Sequence, residues 1–316
     1  MKSNLKILSL SILVLGAMLS FLVACNKNKP MRETPTSGDI KISVDESYKL
    51  LIDAELSVFS VLYQSAKITP DYKPYGDVIS DFISDSVQVA VANNKLTQEQ
   101  EAFLREGNYI VRTVTFAYDA LALIINKENY DSLMTYANVE NIFKGSLSNW
   151  TDINSKSKLG KISVIFDNSK SGNVKYFKER FEITGNLPGN FFAVNSNPEV
   201  IDYISRNANG LGIISVSWIS NQKDSLSMSF IDKIRVVAVT NPVLDQSVYY
   251  RPYQGSIYEK TYPFSREVYL LSREIFTGLG SGFIAFVAGE KGQRIVLKSG
   301  LVPATMPVRL LQFGQQ

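Results

Sequence analysis

The chain has 316 residues, of which 45% are hydrophobic and 20% charged, and its net charge is +3. This balance is ordinary for a globular protein and gives no electrostatic indication of a nucleic-acid partner. The sequence contains no histidine and one cysteine, which excludes Ser-His-Asp hydrolysis, Cys-His chemistry and histidine-based zinc sites. Carboxylate or lysine chemistry stays open, but no pair of nucleophile and base is evident. We therefore expect a binding protein rather than an enzyme, without a cofactor or metal.

The N-terminal segment has the layout of a secretory signal. A short basic start is followed by an apolar run and by Leu-Val-Ala-Cys at 22–25. This ending resembles the bacterial lipobox, in which the cysteine is lipidated and becomes the first residue of the mature chain. We predict a signal peptide at 1–24 and, at 25–38, a lipidated Cys25 with a flexible polar tether, so that the protein is anchored in the cell envelope and faces the periplasm or the exterior. The alternatives are an uncleaved transmembrane anchor, for which an apolar run of about 18 residues is barely long enough, and a free secreted protein.

The rest of the chain alternates between strand and helix patterns. In chain order, the predicted elements are a strand at 40–44, a helix at 48–64, a strand at 87–92, a helix that opens at 97–100, strands at 109–114 and 119–126, a helix at 139–143, a strand at 162–166, helices at 174–181 and 198–207, strands at 210–214, 234–239 and 267–271, and a mostly helical region at 280–299. Thr97 and Gln100 have the spacing of a capping box. The run at 120–125 is entirely apolar, which indicates a strand buried on both faces. Strands alternating with helices predict an α/β fold with largely parallel sheets.

One turn has the chemistry of an anion site. The segment at 167–177 follows the predicted strand at 162–166 and opens a helix with Ser171, Gly172 and Asn173. Such a turn presents free backbone N–H groups and the positive end of the helix dipole, so it can hold an anion. Taken alone, a Ser-Gly turn between a strand and a helix is more often only a cap.

Further segments, in order along the chain, resemble the phosphate-type substrate-binding proteins of ABC importers. The matching segments are 119–126 (DALALIIN) for the domain-crossing strand, 139–145 (VENIFKG) with 149–153 (NWTDI) for a Leu-x-x-Ile-Phe-x-Gly…Trp-x-Asp motif, 171–173 (SGN) for Ser-Gly-Thr, 209–214 (NGLGII) for Gly-x-Ile-Gly-Tyr, 262–269 (YPFSREVY) for Tyr-Pro-x-x-Arg-x-x-Tyr, and 283–286, 292–293 and 300–303 for the C-terminal helix and exit. The resemblance spans about 40 to 307. Within these motifs, Phe143 and Trp150 are expected to pack in the core.

The resemblance implies the type II fold of periplasmic binding proteins. Two α/β lobes, each a mostly parallel sheet flanked by helices, would be joined by crossover strands near 115–119 and 237–241. Lobe 1 would comprise 39–120 plus 242–316, and lobe 2 would comprise 121–241.

The resemblance also implies a ligand and a partner. A small anionic, phosphate-like solute would bind between the lobes, which close by a hinge motion, and a monomer would deliver it to an ABC permease. The implied ligand-binding residues are Ser47, Asn93, Asn94, Asp167, Ser171, Gly172 and Asn173. Ser171 and Asn173 would donate side-chain hydrogen bonds, and Gly172 its backbone N–H.

These ligand residues depart from the family pattern at three places. Asp167 stands where the family has an arginine that pairs with phosphate oxygens, the first turn reads DESY at 45–48 instead of a Gly-Ser/Thr-rich sequence, and 93–94 reads Asn-Asn instead of Ser-Asp or Ser-Arg. Two unit charges about 4 Å apart interact by roughly 4 kcal/mol at an effective dielectric near 20, so carboxylates at these positions oppose an anion.

The acids have structural roles open to them. Asp45 and Glu46 would point away from the cleft, so that only Ser47 and backbone N–H groups line it. Asp45 would act as a cap, with a ligand role as the alternative. Asp167 would cap its own turn or pair with Lys170 or Lys175.

Three functions remain open. The first is a lipid-anchored solute-binding protein for phosphate or a related small oxyanion. The second is the same fold retuned to a neutral or cationic solute, with Asn93, Asn94 and Asp167 as acceptors. The third is a component of the envelope without a transport role, acting in interaction or sensing.

Overall fold

The computed structural model describes residues 33–308, so the predicted signal peptide and Cys25 lie outside the described residues. The strands are β1 (Gly38–Asp45), β2 (Ala66–Lys73), β3 (Val89–Ala92), β4 (Arg112–Asn126), β5 (Leu133–Met134), β6 (Ser163–Phe166), β7 (Phe191–Ala193), β8 (Gly210–Ser215), β9 (Ile234–Val236), β10 (Ala238–Thr240), β11 (Tyr249–Tyr250), β12 (Ser265–Ser272) and β13 (Val302–Pro303). The helices are α1 (Lys49–Leu62), α2 (Tyr75–Ile83), α3 (Gln98–Glu106), α4 (Tyr136–Lys144), α5 (Trp150–Ile153), α6 (Gly172–Arg180), α7 (Asn197–Arg206), α8 (Ser225–Ile231), α9 (Gln254–Tyr258), α10 (Leu279–Ala288) and α11 (Glu290–Lys298), with 3₁₀ turns at Glu46–Tyr48 and Val216–Trp218. From residue 33 to residue 308, none of the helices combines the length and the apolar character needed to span a bilayer.

A mixed sheet runs through the whole described chain. Its main path has the strand order β2-β1-β3-β12-β4-β8-β6-β7, and β9 and β13 also pair with β4. We call β1, β2, β3 and β12 with their helices the β1 half, and β6, β7 and β8 with theirs the β6 half. Strand β1 is parallel to β2 and β3, and β6 is parallel to β7 and β8, whereas β12 and β4 are antiparallel to their neighbours. The predicted α/β class with helix-flanked sheets is confirmed, with this antiparallel centre.

Strand β4 joins the two halves. The sequence predicts two strands, at 109–114 and 119–126, but the structure has one strand of 15 residues. Its first part pairs with β12 along Arg112–Ala120, and its second part pairs with β8 and β9 along Leu121–Asn126. Neighbours on both sides thus hold the intervening residues extended, which the local pattern does not reveal.

Two predicted elements are each divided in the structure. The predicted strand at 234–239 is β9 and β10, because β9 pairs with β4 whereas β10 pairs with β5 and β11 in a separate sheet of three strands. The predicted helical region at 280–299 is α10 and α11, separated at Gly289, whose backbone is extended. Strand β2 and helix α2 were not predicted.

The core supports the sheet on both faces. Phe143 and Trp150 are 1% and 0% exposed, which confirms that they pack in the core. The capping box of Thr97 and Gln100 at the start of α3 is confirmed as well. The lobe boundaries at 120/121 and 241/242 stay a prediction.

Candidate functional site

The predicted ligand residues lie at one edge of the sheet, where the halves meet. Ser47 follows β1, Asn93 and Asn94 follow β3, and 167–173 follow β6. The carboxyl ends of these strands form a crevice at this edge, where open α/β sheets generally bind ligands. Six of these residues are buried and Asn94 is half-buried: Ser47, Asn93, Asp167, Ser171, Gly172 and Asn173 form the buried set.

Helix α6 begins two residues before its predicted start, so Gly172 and Asn173 belong to its first turn. Ser171 caps the helix, because its Oγ accepts hydrogen bonds from Asn173 N (3.0 Å) and Val174 N (3.4 Å). The same hydroxyl donates to Asp167 Oδ1 at 2.5 Å, and Asn173 Nδ2 donates to that oxygen at 3.0 Å. The carboxylate of Asp167 thus takes both side-chain donors at the helix start.

Neither predicted lysine partner of Asp167 is found. Lys170 pairs with Asp77 of α2 at 2.6 Å, and Lys175 pairs with Glu179 one turn further along α6. The predicted pairing of Asp167 with a lysine is therefore wrong, whereas its bond with Ser171 within the turn is present.

The turn after β1 places its acids inward. Asp45 Oδ1 accepts from Ser47 N at 3.0 Å, as expected of a cap, but its Oδ2 also accepts from Asn93 Nδ2 at 2.9 Å. Glu46 does not point away, because its Oε2 accepts a hydrogen bond from Asn197 Nδ2 at 2.6 Å. The expectation that only Ser47 and backbone N–H groups line the cleft is thus wrong.

Several contacts join the two halves at this place. Ser47 Oγ donates to Asn173 Oδ1 at 3.5 Å, and Gly76 N donates to Lys170 O at 3.2 Å. Gly172 lies so close to Asn93 that a Cβ at this position would overlap the Asn93 side chain. A side chain at position 172 would therefore displace the Asn93 side chain, which Asp45 holds through a hydrogen bond at 2.9 Å.

Sequence reasoning missed Asn197, the first residue of α7. It is fully buried, and its Oδ1 accepts from Ser215 N (3.2 Å) and Asn173 Nδ2 (3.4 Å), while its Nδ2 reaches Glu46. A polar residue at a predicted helix start reads as a cap, so nothing local distinguishes it as a contact between the halves.

Sequence reasoning also missed a buried ion pair beneath the crevice. Arg266 Nη2 lies 2.9 Å from Asp119 Oδ2, which also accepts from Ser215 Oγ at 2.9 Å and from Tyr48 OH at 3.3 Å. Both charged residues were quoted within matching motifs, and the antiparallel register of β4 and β12 places them opposite each other. The available signal was an acid next to the apolar run of β4 and a basic residue near the start of β12.

Burial and mutual repulsion raise the pKa of the crevice acids. Burial raises the pKa of Asp167 to about 6, although the Ser171 hydrogen bond opposes it and the charge of Asp45 adds to it. Burial raises the pKa of Glu46 to about 7, opposed by the hydrogen bond from Asn197. The pKa of Asp45 is raised by burial too, against the attraction of Arg266. Glu46 and Asp167 therefore change charge closer to neutral pH than exposed acids do.

The crevice is filled by these side chains. Among the five cavities that we describe in residues 33–308, none is lined by Ser47, Asn93 or Asn173. Ser171 borders a cavity of about 600 Å³ between α2 and α6. A cavity of about 770 Å³ is bordered by Arg266, Tyr118 and Tyr262, and none of the predicted ligand residues lines it.

Comparisons with known proteins agree with this architecture. A family model described as a PBP superfamily domain matches residues 30–291. The phosphate-binding protein PstS of Staphylococcus aureus (strain USA300) is 22% identical over 235 residues, which cover 73% of this chain and 68% of that protein.

Two solved structures share the fold. One, from Clostridium perfringens with bound phosphate and provisionally assigned as a phosphate ABC transporter substrate-binding protein, has a TM-score of 0.71 at 23% identity and covers 84% of this chain and 100% of its own. An ABC-type phosphate transport receptor from Vibrio cholerae has a TM-score of 0.64 at 19% identity, covering 84% of this chain and 100% of its own. At these identities the likeness concerns the fold, while the family match covers most of the sequence. The resemblance seen in the sequence is thus confirmed, and the chain belongs to the PBP superfamily.

Proposed function

We propose that this protein is an extracytoplasmic solute-binding protein of the phosphate-binding type, which captures phosphate or a related small oxyanion for an ABC importer. The observation that carries the proposal is the convergence of Ser47, Ser171, Gly172 and Asn173 between the two halves of the sheet. A helix start with hydroxyl, amide and backbone donors is suited to an oxyanion. The relatives named above as phosphate-binding proteins support the same class of ligand.

The proposal includes the anchor. Cys25 would carry acyl chains, and the polar residues that follow it would form a leash that keeps a monomeric binding protein near its permease. The predicted tether bound at 38 is wrong, because Glu33 Oε1 accepts a hydrogen bond from Leu279 N at 2.9 Å, Thr34 and Ser37 form a bridge, and Gly38 begins β1. The seven predicted residues, Ser47, Asn93, Asn94, Asp167, Ser171, Gly172 and Asn173, would form or border the ligand site, with no catalytic role.

Calorimetry tests the ligand class. We expect the full-length protein in detergent to release or absorb heat with phosphate at or below millimolar concentration, and we include arsenate and sulfate for comparison. Ser171→Ala should weaken phosphate binding by at least about tenfold, or 1.4 kcal/mol, because a charge-assisted donor is lost. Ser169→Ala, at an exposed position of the same turn, is the matched control and should leave the affinity unchanged. No heat with any of the three anions would contradict the proposal.

The crevice acids favour a second candidate, a neutral or cationic solute. Asp45, Glu46 and Asp167 face the same space, and the guanidinium of Arg266 is already paired with Asp119. Thermal unfolding with small amines and amino acids distinguishes the two, since a ligand at 100 times its Kd stabilises the folded state by about 2.7 kcal/mol. A shift with a cationic solute and none with phosphate would favour this candidate.

A further inference from the structure

The carboxylate of Asp167 accepts hydrogen bonds at the start of α6, as a bound anion would. Its Oδ1 accepts from Ser171 Oγ at 2.5 Å and from Asn173 Nδ2 at 3.0 Å, and the residue is only 5% exposed. These are the two side-chain donors that the proposed function assigns to the ligand. The chain therefore supplies its own carboxylate to donors that an incoming oxyanion needs.

Little positive charge lies near Asp167 to stabilise both its carboxylate and a bound oxyanion. The charged groups that act on it are Asp45 at the end of β1, Glu46 in the following turn and Arg266 on β12. Arg266 is paired with Asp119, and the nearest lysines along the chain, Lys170 and Lys175, pair with Asp77 and Glu179. Asn93, which donates to Asp45, and Asn197, which accepts from Asn173, are uncharged.

We propose, on the basis of the proposed function, that Asp167 is an internal competitor of the oxyanion and that anion capture requires its neutralisation by a proton. An oxyanion that reaches Ser171 and Asn173 displaces the carboxylate of Asp167, which takes one proton from the solvent and stays in the crevice as the neutral acid. The donors are thereby released, and one negative charge is removed from beside the ligand.

The direction of the pH dependence follows. The pKa of Asp167 lies near 6 when the donors are in place, so above that pH the free protein carries a charged Asp167 and binding must take up a proton. Phosphate affinity should therefore rise as pH falls through this range. The ionisation of phosphate itself also changes with pH, but it is common to every variant and cancels when variants are compared.

The test compares the full-length protein with Asp167→Asn, which keeps the size and one acceptor oxygen but removes the charge. We expect Asp167→Asn to bind phosphate at least about tenfold more tightly than the wild type at about pH 8, and less than about threefold more tightly at about pH 5.5. Asp232→Asn, an exposed acid of the same half, is the control and should match the wild type at both pH values. Calorimetry in buffers of different ionisation enthalpy should show about one more proton taken up per phosphate by the wild type than by Asp167→Asn at about pH 8.

The outcomes separate this inference from the proposed function. If the wild type binds phosphate and Asp167→Asn binds equally or more weakly at both pH values, Asp167 is a ligand or scaffold residue and the inference fails alone. If neither protein binds phosphate at any pH, the proposed function fails and the inference fails with it. Proton uptake by the wild type needs no variant, so wild-type binding without uptake overturns the inference even if Asp167→Asn does not fold.

Discussion

Glu55 carries a carboxyl group inside the protein without a hydrogen-bond partner among the described residues. It lies on α1 and is 0% exposed, and both of its carboxylate oxygens are buried and unbonded. Burial raises its pKa from 4.5 to about 9, so the folded protein holds Glu55 as the neutral acid at neutral pH. The unfolded chain releases this proton at a much lower pH. The free energy of unfolding should therefore decrease as pH rises from about 4.5 to about 9.

Replacing Glu55 by methionine should remove this pH-dependent loss of stability. We expect Glu55→Met to raise the free energy of unfolding by roughly 2–3 kcal/mol at pH 7, because the side chains have similar volume and the buried ionisable group is gone. The gain should grow with pH between about 5 and 9, as measured by urea denaturation at several pH values. Glu106→Met at the exposed end of α3 is the control and should change stability by no more than about 0.5 kcal/mol. A loss of stability without a pH trend would show that Glu55 has a partner in solution.

At the residue scale, the family resemblance predicted that Ser47, Asn93 and Ser171 share one cleft, and the structure brings all three to the edge of the sheet where β1, β3 and β6 end. The pairing of Asp119 with Arg266 was not predicted, because it joins residues 147 positions apart and depends on the register of two strands. The inward direction of Glu46 was missed for the same reason, since its partner Asn197 belongs to the other half.

At the element scale, long apolar runs and capping residues predicted most helices and strands, whereas the edge of the sheet was missed. Strand β2 contains charged residues and Pro70, which weaken a strand pattern. It pairs with β1 alone, and an edge strand is where proline is tolerated, because the missing N–H faces no partner. The division of the C-terminal helical region was missed because α10 and α11 follow each other with only Gly289 between them.

The packing of α10 on α11 gives a prediction for Gly292. A Cβ on Gly292 would lie 2.5 Å from the Cα and the carbonyl oxygen of Val287, both backbone atoms that cannot move aside easily. Alanine is the better helix former by about 1 kcal/mol, so helix propensity alone predicts stabilisation. We expect the steric overlap to outweigh it, so that Gly292→Ala lowers the free energy of unfolding by roughly 1–3 kcal/mol.

Urea denaturation of Gly292→Ala beside Gly185→Ala decides between these effects. Gly185 is exposed and has no atom within 4 Å of an added Cβ, so its replacement should be neutral or slightly stabilising. Stabilisation by Gly292→Ala would mean that the two helices are further apart in solution.

At the scale of the whole molecule, the two halves are continuous through β4 and meet again at the crevice. Glu46 bonds with Asn197, Asp77 pairs with Lys170, and Ser217 Oγ donates to Ser47 O at 2.5 Å. Opening the crevice would break all these contacts and expose the buried acids. One of these contacts is that of Asn93 with Gly172, where an added side-chain atom has the least space.

Gly172→Ala should therefore hold the two halves apart. The new methyl group would overlap Asn93, whose side chain is kept in place by Asp45 at 2.9 Å. We expect a larger radius of gyration by small-angle X-ray scattering and, if phosphate binds here, about tenfold weaker binding. The double variant Asn93→Ala with Gly172→Ala removes the overlap and should restore the smaller radius, whereas Gly185→Ala should leave it unchanged. An unchanged radius in Gly172→Ala would mean that Asn93 finds another rotamer and that closure does not depend on this contact.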